Sequence, residues 1–211
     1  MDNLIYILFV SVFVPILLMA CLIEKKARQP IVFVLIGIFA SVFAAEVNGL
    51  LSSLLTMSIY EVTIIVTPIT EEILKAIPIL VFAIVCSAKK EALFTASMAV
   101  GIGFAVLENA FYMLNNASFN MIDAIVRAFG AGLMHGMCTL LVGVGILFVK
   151  KKRKLFGVGT FAMLSTAITY HGIYNMLVQS DYQIIGYLLP IATYIPFMVW
   201  RIRKIRQKNA K

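Results

Sequence analysis

The stretch Pro68-Ile69-Thr70-Glu71-Glu72-Ile73-Leu74-Lys75 puts three ionisable side chains near the middle of an apolar run from Val62 to Cys86. That run is long enough to cross a bilayer. A charge at the bilayer centre costs roughly 2.5–3.5 kcal/mol on the insertion scale, so a helix does not present three of them to lipid. They must face a protein interior, pair with one another, or hold protons. Glu71 and Lys75 are four apart and Glu72 and Lys75 three apart; both spacings allow contact on a helix. Adjacent Glu71 and Glu72 point about 100° apart, so one can pair with Lys75 while the other faces a cavity.

Further along come Glu108-Asn109, His135 and His171-x-x-x-Asn175, again inside apolar runs, and the chain has only 2 histidines. Two chemical readings follow. As metal ligands, Glu108, His135 and His171 would form the two-histidine, one-carboxylate set of hydrolytic zinc sites, with an open position for water. Glu71 would then be the general base that takes a proton from that water. Without metal, Glu71 alone would activate water, with a histidine and Asn175 donating to the oxyanion. Both readings are hydrolysis. The alternative is a polar network that only holds helices together. Ionisable residues inside a membrane are functional by default, and a whole set favours chemistry.

The elements that must position these groups are transmembrane helices. The chain has 211 residues, 62% hydrophobic and 13% charged, which is the composition of a polytopic membrane protein. No polar stretch is long enough for a soluble domain, so residues 1–211 read as a single membrane-embedded domain. The net charge of +8 does not indicate nucleic-acid binding. Its basic residues gather at Lys25/Lys26/Arg28, at Lys89/Lys90, over 150–154 and over 201–211, leaving only Lys75 and Arg127 in or beside apolar runs. These clusters cap every second boundary between seven expected spans: about 4–23, 31–57, 62–86, 92–114, 124–149, 155–178 and 182–200. The other connections, 58–61, 115–123 and 179–182, carry Asp or Glu. The positive-inside rule then puts the N-terminus outside and the C-terminus in the cytoplasm.

The first span lacks the basic start of a signal peptide, since it opens Met-Asp-Asn. Cys21, Cys86 and Cys138 show no metal or redox spacing. In the second span, Glu46 and Asn48 lie in the outer third, where they either line the polar interior, the reading favoured for Glu46, or snorkel to the outer surface. In the third, Pro68 removes a backbone donor and frees a carbonyl one turn earlier. A kink is expected there, eased by Thr67 and Thr70. Gly101, Gly103 and the Gly132-x-x-x-Gly136 pattern predict close helix approach beside His135.

Counted along helical rise from the outer edge of each span, Glu71 lies at roughly 14 Å, Glu108 at 9 Å, His135 at 16 Å and His171 at 10 Å. Helices of alternating direction thus bring all four into one outer-half layer.

Glu71-Glu72-x-x-Lys75, Gly103-Phe104-x-x-x-Glu108-Asn109, His135 and His171-x-x-x-Asn175 stand in this order on four consecutive spans. As a set they resemble the PrsW family of intramembrane proteases, over about residues 62–178. That family is related to the CAAX-prenyl endopeptidases and bacteriocin-processing membrane proteins, where Arg stands in place of Lys75 and His in place of Glu108. The resemblance implies that Glu71 is the water-activating base and that Glu72 is held by Lys75. It further implies that Asn175 stabilises the oxyanion and that His171 holds the water or a metal. The implied substrate is a single-span membrane protein, such as an anti-sigma factor, cut near the outer face of a prokaryotic cell membrane. Two rival readings come from the residues themselves. An ion-coupled transporter also uses carboxylates and histidines at depth, and a non-catalytic scaffold would need neither Glu71 nor His171.

Overall fold

The computed structural model describes residues 4–86, 88–116, 120–151 and 156–209. The Met-Asp-Asn start, part of the 115–123 connection, residues 152–154 of the third basic cluster and Lys211 lie outside the described residues. Among the described residues the fold is all α-helical. The helices are α1 (Leu4–Leu22), α2 (Lys25–Leu55), α3 (Ile59–Glu61), α4 (Thr67–Val85), α5 (Lys90–Asn115), α6 (Met121–Lys151), α7 (Phe161–Val178) and α8 (Gln183–Asn209). A π-helical turn, Val62–Val66, joins α3 to α4, and another, Phe156–Thr160, leads into α7. With these joins the chain forms 7 rods. Four stretches, Leu4–Leu22, Ala27–Leu55, Lys90–Asn115 and Met121–Leu147, are long and apolar enough to cross a membrane, and Gln183–Val199 is a shorter apolar stretch. The α4 rod is set apart by the charges it carries. The protein is therefore a multi-pass membrane helical bundle.

Local chemistry accounts for the ends of these rods. Ser58 and Glu61 form a capping box: the Ser58 hydroxyl accepts from the Glu61 N–H, and the Glu61 carboxylate accepts from the Ser58 N–H at 2.9 Å. Asn120 caps α6 by accepting from the backbone N–H groups of Ile122 and Asp123. Thr56 ends α2 in the left-handed conformation, φ 49.

The expected kink at Pro68 takes a specific form. Proline has no N–H to close the preceding turn, and the backbone widens into the π-turn just ahead of it. The Thr70 hydroxyl, 3.1 Å from the Val66 and Thr67 carbonyls, covers part of the exposed backbone, and it also bonds Asn48 of α2.

Packing places α5 between α2 and α6. Helix α6 also meets α7 and α8, and α4 lies against α2, α6 and α7. The main core joins Ile79 of α4, Leu93 and Val100 of α5, Met134, Cys138 and Ile146 of α6, and Ala167 of α7. Helix α1 sits at the periphery, with Ile7, Val10, Leu18 and Leu22 exposed as a lipid-facing helix requires. Close approach does occur beside His135, through Gly101 and Gly136 of the expected glycines but not through Gly132. A methyl on Gly101 of α5 would overlap the His135 carbonyl, whereas Gly132 faces open space. The backbones of α5 and α6 thus meet where Gly101 faces His135 and Gly136.

Candidate active site

Glu71, Glu72 and Lys75 all project from α4 into the bundle, where Glu72 and Lys75 are 0% exposed and Glu71 5%. Their partners come from α5, α6 and α7, the helices packed around them. Glu72, not Glu71, takes the lysine: Lys75 Nζ lies 2.6 Å from Glu72 Oε1. The same oxygen is 2.9 Å from His171 Nδ1. Lys75 Nζ also lies 2.8 Å from His135 Nδ1 and 4.6 Å from the Phe104 ring centroid. So a buried ammonium is met by a carboxylate, an imidazole and an aromatic face, which is how such a charge is held away from water.

These contacts assign the imidazole hydrogens. An ammonium can only donate, so His135 Nδ1 accepts, and His135 Nε2–H donates to Glu108 Oε2 at 2.5 Å. Glu72, occupied by Lys75 as a carboxylate, accepts from His171 Nδ1–H. That leaves the His171 Nε2 lone pair free, and it faces Glu71 Oε2 at 3.9 Å. Glu71 Oε2 is buried and has no hydrogen-bond partner. The two imidazole rings stand edge to face with centroids 5.0 Å apart.

Ligand atoms of Glu71, His135 and His171 all lie within 4.8 Å of one another. This differs from the metal set expected from sequence, in which Glu108 took the place that Glu71 occupies. Glu108 is held instead between His135 Nε2 and Arg127 Nη2, the latter at 3.0 Å. Asn175 has a partner of its own in the fold. Its amide donates to the Thr63 carbonyl at 2.9 Å, clamping α7 to the π-turn that precedes α4. Asn109 is buried with its Oδ1 unpartnered. Glu46, expected to face the interior, is exposed and accepts from Tyr6 of α1 at 2.5 Å. It lies on the α1-facing side of α2, so its carboxylate is spent on a helix pair remote from the cluster.

Sequence reasoning did not assign Arg127. It is buried, bonded to Glu108 and 3.7 Å from the Tyr112 ring centroid. The signal was present, since Arg127 and Lys75 are the two cations outside the basic clusters.

A membrane-embedded bundle whose interior gathers an unpaired carboxylate, a lone-pair imidazole and a lysine-held second carboxylate has the parts of a hydrolase that works within the bilayer. The PrsW family intramembrane metalloprotease pattern matches residues 25–201, and the chain belongs to that family. No curated protein and no solved structure matches it. The match extends beyond the span of the sequence motifs to include α2 and most of α8. The protein is therefore a peptidase acting on a membrane protein, which decides against the carrier and scaffold readings.

The family description implies a metal, and the donor set fits one. Glu71 Oε2 is an orphaned buried acceptor, and His171 Nε2 faces it with its lone pair free. The hydrogen bond from His171 Nδ1 to a carboxylate is the usual outer-shell support of a ligating histidine. His135 fits less directly. Both of its nitrogens are engaged, so it becomes a ligand only by releasing Glu108 or Lys75.

Proposed function

We propose that Glu71 and His171 hydrolyse a peptide bond of a single-span membrane protein near the outer face of a prokaryotic plasma membrane, an anti-sigma factor being the substrate class in view. The observation that carries the reading is the unpartnered, buried Glu71 Oε2 beside His171 Nε2 at 3.9 Å.

Glu71 is the base because its twin is already committed. Glu72 Oε1 holds Lys75 and His171, so its charge is balanced. Glu71 takes a proton from water as the water oxygen attacks the substrate carbonyl, and returns it to the leaving amine as the C–N bond breaks. Lys75 keeps Glu72 charged, and Glu72 keeps the His171 ring in the tautomer whose Nε2 faces Glu71. Were a metal held by Glu71, His135 and His171, zinc being the ion that suits two histidines and a carboxylate, it would polarise the carbonyl and acidify the water, and Glu71 would serve as its ligand in place of the free base. The basic clusters support an extracytoplasmic N-terminus and a cytoplasmic C-terminus, which puts the cut in the outer half of the membrane.

The test is reconstitution of wild type and Glu71→Gln in liposomes with candidate single-span proteins. Wild type should release an outer fragment that Glu71→Gln does not. Equal cleavage by both proteins removes Glu71 as the base. A cut mapped to the cytoplasmic half overturns the orientation.

A further inference from the structure

Two buried donors beside the reacting groups have no assigned task. Arg127 of α6 is 7% exposed and Tyr174 of α7 is 2% exposed. Arg127 Nη2 is bonded to Glu108, but its Nε–H has no partner, and neither does the Tyr174 hydroxyl. Native interiors leave few polar atoms unpaired, because each one costs its lost hydration. Two such donors on adjoining helices need an acceptor.

They lie on the same side of the α6–α7 contact. Gly130 follows Arg127 by three residues, on the same helix face. A methyl at Gly130 would stand 3.2 Å from the Tyr174 hydroxyl and 3.1 Å from Tyr187 Cδ1. Glycine there leaves the hydroxyl room. Tyr174 follows His171 by three residues, and Arg127 is joined to His135 through Glu108. Both donors thus flank the catalytic cluster toward the end of the bundle where α5 ends and α6 begins.

We propose that Arg127 Nε–H and the Tyr174 hydroxyl form a subsite for a backbone carbonyl of the peptide being cut, an inference that rests on the peptidase reading. A carbonyl oxygen has two lone pairs and accepts from both donors. The ligand is neutral rather than a carboxylate, because Glu108 already balances the guanidinium and a second anion beside it would be repelled. Three residues of helical rise, about 4.5 Å, separate Tyr174 from His171 along α7. An extended peptide advances about 3.3 Å per residue, so the bound carbonyl lies one or two residues from the scissile bond.

The probe is a hydrophobic peptide amide carrying a benzophenone, photocrosslinked to the Glu71→Gln protein in detergent so that binding is read without turnover. Adding Tyr174→Phe, which removes only the hydroxyl, should raise the half-saturating peptide concentration about three- to tenfold, as the loss of one hydrogen bond to ligand predicts. Arg127→Lys, which keeps the charge and loses Nε, should do the same, while Tyr187→Phe should leave it unchanged. The same peptide with a free carboxylate should bind no better than the amide. Unchanged half-saturation in Tyr174→Phe and Arg127→Lys proteins of normal melting temperature overturns the subsite, as does the absence of saturable labelling in Glu71→Gln. Either result leaves the peptidase reading standing if wild type cleaves its membrane substrate. Weakened labelling in both variants, alongside a wild type that cleaves no membrane protein, would retain the subsite and sink the protease.

Discussion

Glu72 and His171, 99 residues apart in the chain, share a buried hydrogen bond of 2.9 Å. The bond joins α4 to α7 and sets which imidazole nitrogen meets Glu71. Because Glu72 Oε1 also holds Lys75, one oxygen controls both the charge balance of the interior and the tautomer of His171. Glu72→Gln should therefore lose stability and activity together. Leaving the Lys75 charge uncompensated predicts about 3–5 kcal/mol of destabilisation. The double variant Glu72→Gln/Lys75→Met should regain most of the melting temperature and none of the cleavage. Recovery of both would make the pair structural only.

Glu71 behaves differently, since its Oε2 has no partner to lose. Glu71→Gln should abolish proteolysis while melting at the wild-type temperature or slightly above. A large drop in melting temperature would show that Glu71 supports the fold rather than the chemistry.

Metal analysis separates the two hydrolytic mechanisms. Protein purified without chelator should carry about one zinc per chain if the two-histidine, one-carboxylate donors are used. Glu72→Gln should weaken metal affinity about 10–100-fold, the usual effect of losing an outer-shell partner of a ligating histidine. Metal-free protein with full activity leaves only the glutamate mechanism.

Two glycines give opposite expectations. Gly101→Ala drives a methyl into the His135 backbone and should cost about 1–3 kcal/mol, the range for overpacking. Gly132 has nothing within 4 Å of its added methyl, so Gly132→Ala should gain up to about 1 kcal/mol from helix propensity. Melting temperatures of the two variants check the contrast.

The Ser58–Glu61 capping box opens the α3–α4 rod, ahead of the apolar run that begins at Val62, and gives a pH signature. The Ser58 hydroxyl and backbone N–H hold the Glu61 carboxyl below its ordinary pKa. A carboxyl lowered in the folded state stabilises above its unfolded pKa, and that stability is lost as pH falls through the folded one. Wild type should thus melt above Ser58→Ala at neutral pH, with the two curves converging in acid. A constant gap across pH would remove the charged cap as the cause.

The sequence alone determined the class of fold and the members of the buried polar cluster. Apolar runs punctuated by basic clusters define a helical membrane bundle, because backbone polar groups in lipid must bond within their own segment. Ionisable residues inside those runs mark the interior, because lipid does not accept them. Glu71, Glu72, Lys75, Glu108, His135 and His171 were legible on those grounds. Which of them touch was decided only by the tertiary structure. Helical period leaves Glu71 and Glu72 as equal candidates for Lys75, and only the packing of α7 against α4 brings His171 to Glu72 and leaves Glu71 unpaired. Glu108 bonds Arg127 as well as His135, and Asn175 donates to the Thr63 carbonyl. Those partners come from the rotation of one helix against another and from a π-turn, neither of which is encoded in residue spacing.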